Sequence, residues 1–238
     1  MTQAPPTSKA SAPEPGPAAG TARKIRAVLW ILIGAAVAAG LIWVAVAGAT
    51  KPAAAPAPAS AGEAQLVRTD SHRITSPATE KAQLVEFLDF ECESCLAAQP
   101  LVEQLKKEYG DRISFVHRYF PLPGHRNSGT AALAVEAAAQ QGKYQEMVAR
   151  MFQAQTVWGG KQDSQAHVFR TYAQELNLDM ASYDAAVADP GTEERIRRDI
   201  ADGRALGVTG TPTFFLNGKK LALNTEDQFR QLLDDASR

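Results

Sequence analysis

The sequence predicts an α/β domain over residues 66–238. Residues 84–90 form a short apolar run typical of a central strand, and a helical stretch follows it directly. Residues 113–120 predict a second strand. After several helical stretches, residues 213–223 predict a hairpin. This order, in which a strand, a helix and a second strand precede several helices and a hairpin, is typical of a mixed sheet that packs against helices.

The residues before this domain indicate a membrane anchor. Residues 1–22 are mostly Pro, Ala, Ser and Thr, so we expect a disordered tail. Arg23, Lys24 and Arg26 then precede an uncharged stretch, 27–50, that is long enough to cross a hydrocarbon layer of about 30 Å. The positive-inside rule places the tail in the cytoplasm and the domain outside, in a single-pass protein of the cell membrane.

Two other interpretations of that apolar stretch stay open. Ala47-Gly48-Ala49 has the small-x-small form of a signal-peptide cleavage site, although so long an apolar region after a long leader is unusual for a signal peptide. A core helix is the third interpretation. Residues 51–65 are rich in Pro and Ala and predict an extended linker. Both the anchor and the cleaved signal place the domain outside the cytoplasm.

Composition narrows the class of protein. The net charge is −1, and no basic patch of the kind that binds nucleic acid is visible. The chain has only two cysteines, Cys92 and Cys95, which is too few for a small domain held together by disulfides. The fold must therefore depend on its hydrophobic core, and the cysteine pair is available for chemistry.

The boundaries of the elements follow from local signals. Gly110 is placed to end the helix that starts beside the cysteines, and Pro100 should kink it. Pro121 ends the second strand, and Asn127 with Ser128 can cap an Ala-rich helix that reaches 136–141. Further helices are predicted at 144–155, 164–176, 182–189 and 193–206, and after a turn at Asn217-Gly218 a last helix starts at its cap, Thr225.

A C-x-x-C pair at a strand-to-helix junction suits thiol chemistry. Cys92 would lie at the helix N-terminus, where the macrodipole and free N–H groups favour a thiolate, which is the attacking species in disulfide exchange. Cys95, one turn later, could resolve a mixed disulfide.

A zinc site would need about four ligands, haem attachment would need a histidine where Leu96 stands, and a structural disulfide would close too short a loop to stabilise much. We expect no metal and no cofactor. The four histidines are scattered without ligand spacing: His72, His117, His125 and His167.

The stretch LVEFLDFECESC and the later stretch GVTGTPTFFLNG together resemble the thioredoxin superfamily, and within it the DsbA-like extracytoplasmic oxidoreductases. The resemblance covers residue 83 to the C-terminus and implies a thioredoxin-like fold with an inserted α-helical subdomain at about 127–189, preceded here by one transmembrane helix. Pro100 matches the proline that kinks the active-site helix of thioredoxins.

The resemblance also implies roles for individual residues. Pro212 would be cis and face the cysteine pair, and the backbone of Thr211 would pair with an extended substrate. Glu86 would be a buried acid that accepts the proton of Cys95. Glu93 and Ser94, between the cysteines, would contact substrate. The simpler alternatives are an ordinary turn proline at 212 and a carboxylate at 86 that is only salt-bridged or solvated.

One departure from the family concerns the dipeptide Glu93-Ser94. Strong oxidants of this family often have a histidine there, which stabilises the thiolate. Glu91 and Glu93 flank Cys92 in this chain, and negative charge disfavours a thiolate. The sequence therefore predicts a milder oxidant. Trp158, with the glycines after it, is a candidate for the lip of a substrate groove.

The expected activity is exchange of disulfides with reduced or misoxidised exported proteins through Cys92 and Cys95. A membrane redox partner, implied by the family, would restore the pair. A reductase or isomerase of the same fold is the alternative, and a peptide-binding module without redox activity is a third hypothesis of another class.

Overall fold

Five strands form one mixed sheet in the computed structural model, which describes residues 64–238. In chain order they are β1 (His72–Arg73), β2 (Ala82–Leu88), β3 (Ile113–Tyr119), β4 (Thr213–Leu216) and β5 (Lys219–Lys220). Across the sheet the order is β1-β3-β2-β4-β5, in which β2 and β3 are parallel and all other neighbours are antiparallel. β2 is thus the central strand, as its continuous apolar run predicts.

Helices in this part of the chain fall into two groups, those that pack on the sheet and those inserted between β3 and β4. They are α1 (Glu93–Tyr109), α2 (Ser128–Ala139), α3 (Tyr144–Gln153), α4 (Gln155–Trp158), α5 (Ala166–Glu175), α6 (Met180–Ala188), α7 (Pro190–Ala205) and α8 (Glu226–Ala236). A mixed α/β fold with a helical insertion is therefore confirmed. The helix predicted at 144–155 is two helices, because the chain turns at Ala154.

Alternate residues of the central strand serve two separate cores. Leu84 faces one side of the sheet, where α1 and α8 contribute Val102 and Phe229. Val85 faces the other side, where it packs with Phe215. On that side α7 approaches the sheet closely at Gly203, where a Cβ would lie 2.8 Å from the ring of Phe120. A third cluster, formed mostly by the inserted helices, also contains both cysteines.

Two boundary predictions differ from the structure in an informative way. Gly110 does end α1, but in a right-handed conformation, and it is needed because a Cβ there would clash with the carbonyl oxygen of Lys106. Asn127 precedes α2 without capping it through its side chain. Its amide group instead holds the loop before α5. The Asn217-Gly218 turn, with φ of 47° and 82°, and the Thr225 cap on α8 are as predicted.

The predicted tail at 1–22, anchor at 27–50 and nearly all of the linker at 51–65 lie outside the described residues. Within residues 64–238 no helix has the length and apolar character needed to cross a membrane. The anchor stays a prediction from the sequence.

Candidate active site

The cysteine pair lies where β2 passes into α1. Cys92 occupies the N-cap position of α1 with extended backbone angles, and its N–H donates to the carbonyl of Asp89 at 3.2 Å. Cys95 lies in the first turn. Cys92 is 6 % exposed and Cys95 only 1 %, and both are free thiols. The sulfur nearer the surface is therefore also the one at the positive end of the helix dipole.

The second predicted motif lies directly against the first. The Thr211–Pro212 peptide bond is cis, and the Cys92 thiol donates to the carbonyl oxygen of Thr211 at 3.3 Å. The structure therefore brings together Cys92, Cys95, Thr211 and Pro212, although more than a hundred residues separate the two motifs in the chain.

The pKa values of the two thiols are shifted in opposite directions. Interaction with the Cys95 thiol lowers the pKa of Cys92 to about 5 against the opposing effect of burial, and Thr211 and the N–H groups of Cys95 and Ser94 act in the same direction. The pKa of Cys95 is raised well above its usual range by its interaction with Cys92 and by burial. At neutral pH the pair therefore contains one thiolate, on Cys92, and one thiol.

The hydroxyl of Thr211 is available to donate a hydrogen bond to that thiolate. Thr211 Oγ1 is buried and has no hydrogen-bond partner among residues 64–238. A protonated Cys92 can donate to the Thr211 carbonyl, but a thiolate needs donors. The Thr211 hydroxyl can supply one, which agrees with the lowering effect of Thr211 on the pKa of Cys92.

Glu86 is buried in the central strand of the sheet. On β2 it pairs with His117 of β3 and Phe214 of β4. Burial raises the pKa of Glu86 to about 8 and lowers the pKa of His117 to about 3, so the 3.6 Å contact between them joins two neutral groups at neutral pH. Glu86 Oε2 accepts no hydrogen bond within the described residues, and Glu86 in its ionised form raises the pKa of Cys95.

Groups of the helical insertion bind the turn before Cys92, and no local pattern in the sequence indicates these contacts. The Gln155 side-chain amide donates to the carbonyls of Phe90 at 2.8 Å and Cys92 at 3.0 Å. The carboxylate of Glu91 accepts from the backbone N–H groups of Asn127 at 2.7 Å and Gly160 at 3.0 Å. These contacts fix the nucleophile relative to the insertion.

One prediction about the surroundings of Cys92 is wrong, and the milder oxidant expected from the flanking acids stays a prediction. The pKa of Cys92 is lowered although both acids flank it; the buried carboxylate of Glu91 accepts two N–H groups, and Glu93 is exposed. Trp158 is not a groove lip: it is fully buried and packs edge-on against Phe169. Its neighbour Val157 is 67 % exposed instead. Glu93 and Ser94 are both on the surface, as contact with substrate requires.

A family model described as Thioredoxin matches residues 71–235, which is most of the domain. The chain therefore belongs to this thioredoxin family. A thioredoxin-like oxidoreductase from Silicibacter pomeroyi has a similar structure, with a TM-score of 0.59 and 26 % identity over 72 % of this chain and 94 % of the other. Wolbachia pipientis α-DsbA1 has the same fold, with a TM-score of 0.64 and 19 % identity over 75 % of this chain and 96 % of the other.

Curated relatives are larger proteins. The Na(+)/H(+) antiporter NhaA of Herminiimonas arsenicoxydans is 36 % identical over 148 residues, which are 62 % of this chain and 22 % of the antiporter. This chain thus matches about a fifth of that relative's length. The antiport activity in its name belongs to the whole antiporter.

Proposed function

We propose that the protein is a thiol–disulfide oxidoreductase that transfers its Cys92–Cys95 disulfide to thiols of exported proteins. A substrate thiolate attacks Cys92 Sγ, the Cys92–Cys95 bond breaks, and Cys95 leaves as a thiolate that takes up a proton. A second substrate thiolate then attacks the mixed disulfide and expels the Cys92 thiolate. Two electrons pass from the substrate to the pair, which ends as a dithiol.

The observation that carries this proposal is the contact of Cys92 Sγ with the carbonyl of Thr211 beside a cis proline. That arrangement brings the backbone of Thr211 next to the nucleophile, so an extended peptide paired with Thr211 would present its sulfur to Cys92. Glu93 and Ser94, exposed in the first turn of α1, would border the bound peptide.

The acidity of Cys92 supports the oxidising direction of exchange. A low pKa stabilises the reduced form relative to the disulfide, and a stabilised reduced form makes the disulfide a stronger oxidant. The pKa of Cys92, lowered to about 5, therefore favours oxidation of reduced substrates. Such an enzyme needs a membrane redox partner that reoxidises the pair. Rearrangement of misoxidised proteins, or their reduction, is the alternative if the pair is kept reduced.

The reduction potential of the pair separates these directions. The full chain would be equilibrated with mixtures of reduced and oxidised glutathione, and its two thiols counted by alkylation and mass. We expect a potential between about −120 and −180 mV, at the oxidising end of the known scale. A value of about −250 mV or lower would contradict the oxidase and favour a reductase, and failure to form any reversible disulfide would exclude both.

We further propose that the apolar stretch at 27–50 anchors the chain, so that Cys92 works outside the cytoplasm. The support is the basic cluster before that stretch and the Pro/Ala-rich linker after it. A thiol reagent that cannot cross membranes should label reduced Cys92 in intact spheroplasts. If labelling appears only after lysis, this topology is wrong.

A further inference from the structure

A histidine outside the C-x-x-C turn is tied to the residue that supports Cys92. His125 lies in the loop between β3 and α2, and its Nδ1 is 2.6 Å from Oδ2 of Asp89. Asp89 is buried in the turn between β2 and α1, and its carbonyl accepts the N–H of Cys92 at 3.2 Å. One residue therefore links the imidazole to the nucleophile.

The Asp89 carboxylate is fully engaged. Besides His125 it accepts the backbone N–H groups of Glu91 at 2.8 Å and Leu122 at 2.9 Å. Three donors thus offset its negative charge, and the imidazole is held in one place with its side chain 24 % exposed. A proton on this imidazole gives a positive charge whose position is set by the fold.

The charges that act most strongly on the imidazole favour its protonation. Burial opposes the charge on His125, yet the hydrogen bond with Asp89 and the charges of Asp89, Cys92 and Glu91 raise its pKa. These groups come from the active-site turn and the start of α1. Arg126, the next residue, donates to the carbonyl of Gln162 at the surface. The attraction between His125 and Cys92 is mutual, so a charge on His125 also stabilises the Cys92 thiolate.

We propose that His125, held by Asp89, is a positioning residue that stabilises the Cys92 thiolate from outside the C-x-x-C turn. It supplies the positive charge that the Glu93-Ser94 dipeptide lacks. The inference rests on the proposed function, because it concerns the same thiolate. Its consequence is that loss of His125 makes the disulfide less oxidising without removing either cysteine.

The test is a thiolate titration of the reduced full chain. The variant is His125→Gln, and the matched control is His167→Gln, which changes an exposed histidine on α5. Thiolate would be followed by ultraviolet absorbance and by the pH dependence of the alkylation rate. We expect His125→Gln to raise the pKa of Cys92 by about half a unit to one unit, the size expected for one nearby, partly screened charge. His167→Gln should leave it unchanged.

The same variants give a second readout in glutathione equilibria. We expect the oxidising equilibrium constant of His125→Gln to fall about three- to tenfold, which is about 15–30 mV for a two-electron couple. His125→Lys keeps a positive charge and should retain most of the wild-type value. The thermal unfolding of all three variants is measured as well. An effect of charge on the equilibrium constant can then be distinguished from an effect of the substitution on folding.

Each outcome has one meaning. Equal shifts in His125→Gln and His125→Lys, or no shift in either, would overturn the proposal while the proposed function stands. A wild-type chain without a reversible disulfide would overturn the proposed function itself. A shift that occurs in His125→Gln but not in His125→Lys supports the role of charge. The same comparison tests the role of charge even if His125→Gln is less stable than the wild type.

Discussion

A Cys92→Ser chain is expected to lose thiol–disulfide exchange by more than about 10³-fold, the scale on which removal of a nucleophile acts. Cys92 has the lowered pKa and the position beside Thr211, whereas Cys95 is a buried thiol whose pKa is raised. Serine at 92 cannot form the mixed disulfide. The measurement is the rate of thiol–disulfide exchange with a model cysteine peptide at neutral pH.

Cys95→Ser should behave differently, because it removes only the resolving thiol. The reduced variant still attacks a peptide disulfide through Cys92, and the resulting mixed disulfide persists. Since the chain has only two cysteines, a single adduct mass per chain identifies the attacked sulfur. An adduct on Cys95 in the Cys92→Ser chain, at a rate like that of wild type, would contradict this division of roles.

The fold and the cysteine pair could be predicted because their signals are local. The central strand, the C-x-x-C turn and the Asn217-Gly218 hairpin each depend on a few consecutive residues. The contact between Cys92 and Thr211 needed the family resemblance as well, because spacing alone does not say which loops meet. β1 has only two residues, His72 and Arg73, and no pattern of period two can be detected at that length.

The charges around Cys92 could not be predicted because they depend on tertiary contacts. In the sequence Glu91 is simply an acid next to the nucleophile. In the fold it faces inward and accepts the N–H groups of Asn127 and Gly160. Likewise His125 is distant in sequence and contacts Asp89 in the active-site turn. Sequence proximity therefore does not tell which charged groups lie near Cys92 in the fold.

Glu86→Gln is expected to stabilise the protein at alkaline pH. The pKa of Glu86 is about 8 in the folded state against 4.5 for an unperturbed glutamate, so the native state holds an extra proton between these values. The stabilisation from that proton is complete below pH 4.5 and is lost as pH rises through 8. Glutamine carries no such charge. We expect the gain in unfolding free energy to be near zero at pH 4 and about 2–4 kcal/mol above pH 8, measured by urea denaturation.

Glu136 provides a matched control, because it is another buried glutamate with the opposite behaviour. Burial opposes its ionisation, yet hydrogen bonds from His72 and Tyr119 and the charge of Arg195 lower its pKa. Glu136→Gln should therefore destabilise the protein at neutral pH, by about 1–3 kcal/mol. If Glu86→Gln destabilised the protein above pH 8, as Glu136→Gln is expected to do at neutral pH, the assignment of a raised pKa to Glu86 would be wrong.

Loss of activity should accompany the gain in stability of Glu86→Gln. In the reducing direction Cys95 must lose its proton before it attacks the mixed disulfide on Cys92, and the charge of Glu86 acts on that thiol. Above pH 8, where Glu86 is a carboxylate, it can accept that proton and glutamine cannot. Resolution at pH 9 should therefore slow by about 10²-fold in Glu86→Gln, the lower end of general-base effects. Formation of the mixed disulfide should be unchanged, since the Cys92 thiolate needs no base. Single-turnover measurements of the two steps with the full chain separate them, and equal slowing of both would show that Glu86 supports the site only structurally.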